Sequence, residues 1–416
     1  MALIRIAIVG AGPVGLLLAR LLLDKPGIEV IVFESDQSPD CRGQGGSLDL
    51  HPNTAIAALK EAGLYELFLN RARFDGEALV ICDKRFTKYV DLPGTSEDTS
   101  RGRPEIDRSS LREMLLQSVP PEMVRWGWRL SSIDARHNLV FEKGTEGGFG
   151  LIVGADGAWS KTRQLLSSQM PTYSGISGIT FTIPDAKERA PECYDIVNRG
   201  SVFAYSDGKG ITGQQEGNGS LNIAAWYKKK EDWKESSTHD VSTVQAARNQ
   251  VLDIYQDWDS QLVDLIRHGE NPVARSLYML PVGWKWKHRR GVTLIGDAAH
   301  VMTPFAGEGV NLGMQDALLL SRAILKASRS SDPISQLPIQ VMRFEDDLFV
   351  RARKTAELTR DMMQWWFFTE DSPRSVVEKV AIRMTTFHKS GPLAYVTLPF
   401  LTAGVYVYYY VFKWFH

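Results

Sequence analysis

The sequence predicts an α/β protein whose α/β part is discontinuous, interrupted by an inserted and largely antiparallel β-rich domain. Three observations predict it. Strand–turn–helix segments with glycine-dotted turns occur at residues 4–22 and again at 293–317. Between them, from about residue 170 to 285, alternating strand-like runs are divided by Gly and Asn turns. After the second glycine turn a long helical stretch, residues 334 to about 369, closes the pattern.

The chain's 416 residues allow two or three domains with sizeable cores. A formal net charge of −1 leaves no field to steer it towards nucleic acid. Cys41, Cys82 and Cys193 are widely spaced and form no CxxC, so reduced thiols are expected, with neither disulfides nor a metal site. Arg5 and several glycines interrupt the first apolar run, which therefore does not read as a signal peptide, and a cytoplasmic location is expected.

In chain order, residues 4–10 read as a buried strand, 13–24 as a helix with Pro13 in its first turn, and 28–35 as a second buried strand ending in an acid. "CRGQGGSLDLHPNTAIAALKEAGL" is a glycine loop leading into a helix. "EIDRSSLREMLLQSV" is a helix that Asp107, Ser109 or Ser110 can cap. "LVFEKGTEGGFGLIVGADGAWSKTR" reads as a hairpin followed by a strand. The β-rich part holds "GITFTIP", "SVFAYSDGKGITGQQ" and "SLNIAAWYKK", with one amphipathic helix over 241–267. The expected division gives 1–72, 98–168 and 284–333 to the α/β domain, and 73–97 and 169–283 to the β domain. A helical segment, 334–389, and an apolar tail, 390–416, follow. Residues 391–412 carry no charged side chain, roughly enough to span a bilayer, but Pro399 and Gly404 interrupt them. A buried terminal segment, a membrane-surface hairpin and a span all stay open, as does membrane contact through residues 391–415.

Gly10, Gly12 and Gly15 form G-x-G-x-x-G between a strand and a helix that opens with Pro13 and Val14. The first glycine makes the turn, the second admits a pyrophosphate, and the third lets helix and strand pack closely. Glu34, at the end of the next strand, suits the ribose hydroxyls. This is a Rossmann-like signature for an ADP-containing cofactor, and it fits NAD and FAD equally. The second turn separates them, because FAD extends beyond its pyrophosphate and needs a further segment. In "LIGDAAHVMTPFAGEGVNLGMQDA", Asp297 can accept from ribityl hydroxyls. Pro304, Gly307, Gly309, Val310 and Asn311 can bring backbone and a helix start to the ring.

At these motifs the chain resembles the class A FAD-dependent aromatic hydroxylases, the group that includes para-hydroxybenzoate hydroxylase. GxGxxG, "VGADGAWSKTR" and "LIGDAAHVMTPFAGEGVN" occur in the family's order. "GGSLDLHPNTAIAALKEAGL" and "PEIDRSSLREMLL" look similar to the tetracycline-inactivating flavin monooxygenases. The resemblance implies a GR2-type FAD-binding domain, an antiparallel-sheet substrate domain and a long C-terminal helix. It places Arg112 near the flavin phosphates or ribityl chain, Asp156 where FAD and NAD(P)H approach, and Gln44, Gly45 and Gly46 on the pyrimidine side. It departs at Ser35, where many relatives carry an arginine near adenine.

The chemistry so implied is monooxygenation. NAD(P)H reduces the flavin, O2 gives a C4a-hydroperoxyflavin, and one oxygen atom passes to an aromatic, enolic or alkene-bearing polycycle. Baeyer–Villiger insertion, epoxidation, or a non-oxygenating, membrane-tethered oxidase or dehydrogenase are the alternatives. No side-chain base is required, and His300 and His51 read first as structural. Phe203, Tyr205, Gln214, Asn222, Ala224 and Trp226, with Pro304, are the candidate substrate residues, since each strand's set shares one parity.

Overall fold

A computed structural model describes residues 3–39, 45–95, 103–234, 243–388 and 392–415. Internal contacts divide the chain into two units: residues 1–73, 105–172 and 278–357, and residues 74–104, 173–277 and 358–416. The helical stretch expected as a separate segment is thus shared, 334–357 lying in the first unit and the remainder in the second.

The first unit is built on a five-stranded parallel sheet. Its order is β17 (Val292–Leu294), β11 (Leu151–Gly154), β1 (Ile4–Val9), β2 (Ile28–Phe33) and β7 (Val124–Arg125). The strands read as unbroken apolar runs because both faces are covered. Ile6, Ile8, Val32, Val153 and Leu294 pack with α1 (Pro13–Leu22), α4 (Arg108–Gln117) and α10 (Gly309–Ser328). The alternate residues Ala7, Val9, Phe33, Ile152 and Val292 pack under a three-stranded meander of β8 (Leu130–Ile133), β9 (Leu139–Phe141) and β10 (Gly144–Glu146). A short ribbon pairs β3 (Ser47–Asp49) with β6 (Glu105–Asp107), and α2 (Ala57–Glu61) and α3 (Tyr65–Leu69) follow β3. Asp107 takes the N-cap position of α4, although its carboxylate makes no capping bond. Because the long strands run parallel, Gly10, Glu34, Asp156 and Gly296 all follow the carboxyl ends of their strands, the edge where open α/β sheets bind ligands.

The second unit holds a seven-stranded sheet. Its order is β16 (Glu270–Met279), β12 (Thr172–Ile183), β15 (Leu221–Lys228), β14 (Lys209–Gln215), β13 (Ser201–Ser206), β4 (Leu79–Cys82) and β5 (Lys88–Leu92). β13 and β4 pair in parallel, so the sheet is not wholly antiparallel. One face, with Ile179, Phe181, Val202, Ile211 and Ile223, packs on α6 (Pro191–Val197), α7 (Val244–Ile254) and α8 (Ser260–Arg267). α5 (Ala186–Arg189) precedes α6. The single helix expected over 241–267 is two. Tyr255 and Trp258 leave the helical path to fill the core, and Asp259 caps α8 by accepting from the Gln261 amide at 2.9 Å.

In the first unit α9 (Asp297–His300) is one turn long and α11 (Pro333–Phe368) begins; α12 (Val377–His388) and α13 (Pro392–Phe415) belong to the second. The spanning option for the tail is corrected: among the described residues no helix is long and apolar enough to cross a membrane. α13 runs on through Pro399, and its buried Tyr409 donates to the Tyr89 carbonyl at 3.1 Å.

Candidate functional site

The three glycines of the first turn do different work. Gly10 has φ +109°, and a Cβ there would overlap the Ala155 carbonyl; a Cβ on Gly15 would overlap the carbonyl of Gly10. No atom lies within 4 Å of where a Cβ on Gly12 would stand. Gly12 is also the N-cap of α1, with Pro13 at the first helical position, so this open cradle faces a helix N-terminus and suits an anion. Glu34 sits against the same turn. Its Oε2 accepts from the Ala11 amide at 2.7 Å, and its Oε1 from Ser35 Oγ at 2.9 Å and the Asp36 amide at 3.0 Å. Ser35, the departure from the family pattern, thus steadies Glu34. Arg112 reaches the turn from α4, donating to the carbonyls of Ala11 at 3.2 Å and Pro39 at 2.8 Å, with its guanidinium 5.6 Å from the Trp126 ring.

The second glycine turn is held from beneath. Gly296 has φ +61°, and its amide donates to Asp316 at 3.1 Å. Asp316, wholly buried on α10, also contacts His300 at 2.6 Å and accepts from Arg351 at 2.8 Å. Burial would raise the Asp316 pKa, but the His300 and Arg351 charges and hydrogen bonds outweigh it and hold the carboxyl below its ordinary value. His300 is therefore tied into a buried support. Asp297, one residue beyond Gly296, is exposed. Val14 fits between Gly296 and Gly313, where a Cβ on Gly313 would come within 2.7 Å of Val14 Cγ2.

At the turn expected beside the ring, Pro304–Ala306 forms a 3-10 turn and Gly307 has φ +69°. Gly309 opens α10 with no atom within 4 Å of a would-be Cβ, and the same holds at Gly46, φ +101°. Val310 packs at the margin of the core. The Asn311 side chain is fully buried and holds the chain around His51. It accepts from the His51 amide at 2.8 Å and Thr54 Oγ1 at 3.2 Å, and donates to the Asp49 carbonyl at 2.9 Å. Asp156 is likewise engaged by its own loop, accepting from Ser160 Oγ at 2.5 Å, the amides of Lys161 and Thr162, and Thr162 Oγ1. Burial pushes its carboxyl above the ordinary range against those bonds. Gly45 lies at the start of the described loop; Gln44 lies outside the described residues.

A cradle at a helix start, an acid beside it, a second exposed acid and open glycines at 46 and 309 fit a long dinucleotide. Residues 4–130 and 149–333 match a protein family described as FAD binding domain. The chain belongs to this family. It is an FAD-dependent monooxygenase of the class A type. It is 31% identical over 409 residues to the monooxygenase penA of Penicillium thymicola, covering 85% of this chain and 93% of that one. It is 26% identical over 353 residues to the salicylate hydroxylase of Pseudomonas putida, covering 80% of each. The tetracycline destructase Tet(55) shares its fold, with a TM-score of 0.68 at 16% identity over 93% of this chain and 98% of that one.

Strand register settles which candidate substrate residues of this monooxygenase share a face. Gln214 lies opposite Asn222, Phe203 shares a row with Thr212 and Ala224, and Tyr205 shares one with Gly210 and Trp226. All six candidates from β13, β14 and β15 therefore lie on one face, opposite to that covered by α6–α8. Tyr205 stacks on Trp366 with ring centroids 4.7 Å apart. Pro304 opens the 3-10 turn of the other unit.

Several supporting residues escaped sequence reading. Arg163 is fully buried and donates to the carbonyls of Ala298 at 3.0 Å and Ala158 at 2.5 Å, joining the "DG" and "GD" segments. Asp316 had a legible signal, the one charged side chain in the largely apolar "NLGMQDALLL" of a helix. Arg351, its partner, carried none.

Proposed function

We propose that this monooxygenase uses NAD(P)H and O2 to place one oxygen atom on an aromatic, enolic or alkene-bearing polycyclic molecule. The observation that carries this reading is the composition of one sheet face. It carries the aromatics Phe203, Tyr205 and Trp226, the small Ala224, the amides Gln214 and Asn222, and the hydroxyls of Thr182 and Thr212, with Tyr205 and Trp226 buried and Phe203, Gln214 and Asn222 partly open. Apolar walls with a few amides suit a rigid ring system bearing phenol or carbonyl groups. Bound FAD would supply the redox chemistry, accepting hydride and activating O2. The chain's own residues would bind and orient it. The α1 N-terminus at Gly12 takes the pyrophosphate, Glu34 accepts from ribose hydroxyls, and Asp297 accepts from the ribityl chain. The α10 N-terminus beside Gly309 turns its positive end to the pyrimidine oxygens.

The test is stoichiometry. The full-length holoenzyme is mixed with NADPH or NADH and a panel of polycyclic phenols under 18O2. Equal consumption of reductant and O2, with one labelled oxygen in product, is expected. Peroxide release with every substrate would replace this reading with an oxidase.

A membrane-surface role for α13 is proposed alongside. Phe400, Val407, Tyr410 and Trp414 recur at helical spacing, all exposed and uncharged. That pattern suits a helix lying in the lipid interface. Sedimentation of the full chain with phosphatidylcholine–phosphatidylserine vesicles should be lost in Trp414→Glu; a chain that never sediments removes the idea.

A further inference from the structure

His51 lies outside every role assigned above, yet it is buried among acids at the ring-side turn. It precedes a turn of π-helix, Pro52–Ile56, a rare element frequent at functional sites. Its Nε2 is 3.0 Å from Asp49 Oδ2 at the end of β3, and its Nδ1 is 3.4 Å from Glu308 Oε2 at the N-cap of α10. Its amide donates to Asn311 of the same helix at 2.8 Å. Asp49 also lies beside the turn, since a Cβ on Gly307 would stand 3.5 Å from its Oδ1.

We infer that His51 is a positioning residue for the cofactor: as an imidazolium clamped between Asp49 and Glu308, it fixes the backbone of the Gly307–Gly309 turn. This rests on the reading that residues 304–311 face the flavin. The physical reason is charge. Asp49 and Glu308 approach the two edges of one ring, and a proton on that ring turns two facing carboxylates from repelling into bridged. Burial would lower the His51 pKa, but hydrogen bonds and charges from Asp49 and Glu308 outweigh it and raise it to about 9. Loss of that proton would leave two carboxylates across a neutral ring, and the turn would relax.

Other ionisable groups also border the clamp. Glu105 pairs with Asp49 in the β3–β6 register, and burial first raises its carboxyl to about 8 against Arg73 and Ser47. Asp107 is the remaining acid of β6. Glu105 therefore contributes a separate, lower titration.

The test is the FAD dissociation constant of the full-length apoprotein, read by flavin fluorescence from about pH 6 to 9.5. The wild type should weaken as pH rises through about 9, by roughly threefold at pH 9.5, and His51→Gln should be roughly tenfold weaker at neutral pH with that step gone. The double variant His51→Gln/Glu308→Gln should recover most of the affinity, because no facing carboxylates remain. Glu308→Gln alone keeps the Asp49 pair and should move the step down by about one pH unit, which guards against a His51 variant that fails to fold. Glu105→Gln should leave the upper step in place. A His51→Gln protein with wild-type affinity, a step that survives in it, or an unmoved step in Glu308→Gln would overturn the inference. Gly309→Val separates the underlying reading. If it binds FAD normally, the turn does not face the cofactor. If it loses FAD while His51→Gln behaves as wild type, only the clamp is wrong.

Discussion

Arg163 donates to the Ala298 carbonyl at 3.0 Å across 135 residues of chain, and its other terminal nitrogen donates to Ala158. One wholly buried guanidinium thus joins the loop after β11 to the helix after β17. Burial lowers the Arg163 pKa, with Asp156 and Asp297 opposing the shift. Arg163→Leu should destabilise the protein by about 3 kcal/mol, since it leaves two carbonyls unpaired inside. Arg163→Lys, a point donor that cannot serve both carbonyls, should fall between. Denaturant midpoints of the FAD-free proteins measure this, and a Leu variant as stable as wild type would refute it.

The motif glycines divide into packing positions and cradle positions. Gly10→Ala and Gly15→Ala drive a Cβ into backbone oxygens and should lose stability by roughly 2 kcal/mol or more. Gly12→Val and Gly309→Val enter open space. They should shift stability by no more than about 1 kcal/mol while weakening FAD binding roughly tenfold or more. Thermal midpoints paired with FAD titrations check the division. Gly12→Val protein that retained its flavin would argue against a pyrophosphate at that turn.

These glycines also show how far sequence carries. G-x-G-x-x-G and the acid at Glu34 act within about 30 residues of chain, where spacing fixes geometry, and the structure brings Glu34 to 2.7 Å from the Ala11 amide. The parity of Phe203, Tyr205, Gln214 and Trp226 was legible, but their common face needed the hydrogen-bond register. The Asn311 side chain holds residues 49–54 through long-range bonds that no local pattern announces. The break between α7 and α8 was missed because amphipathic periodicity continues across it while Tyr255 and Trp258 turn inward. Arg163 and Arg351 looked like surface charges, because their burial depends on carbonyls and an acid remote in sequence.

Stability should fall with rising pH in two steps. A group whose folded pKa is raised contributes stability below its unfolded pKa and loses it as pH passes the folded value. For Glu105 that window runs from its ordinary 4.5 to about 8. For His51 it runs from 6.5 to about 9 and amounts to about 3 kcal/mol. Urea unfolding of the FAD-free protein across this range should show both slopes. Glu105→Gln should flatten the lower and His51→Gln the upper. Stability that rises between pH 6.5 and 9 would contradict the assigned pKa directions.

The sheet face predicts where specificity lies. Asn222 and Gln214 stand opposite each other on β15 and β14 and are half-buried, so their amides, with the hydroxyls of Thr212 and Thr182, are polar groups of a face that also carries Phe203 and Trp226. If a phenol or carbonyl substrate meets this face, Asn222→Leu leaves its oxygen without a partner, which costs about 1–3 kcal/mol of binding. KM should rise roughly fivefold to 150-fold for such substrates, while a ring analogue lacking the oxygen should bind no worse. Trp226→Ala should weaken both, because it removes apolar area rather than a hydrogen bond. Steady-state kinetics on the paired substrates decides it: equal losses for both in Asn222→Leu would mean that the amide serves packing, and the polar group recognising substrate must then be sought elsewhere.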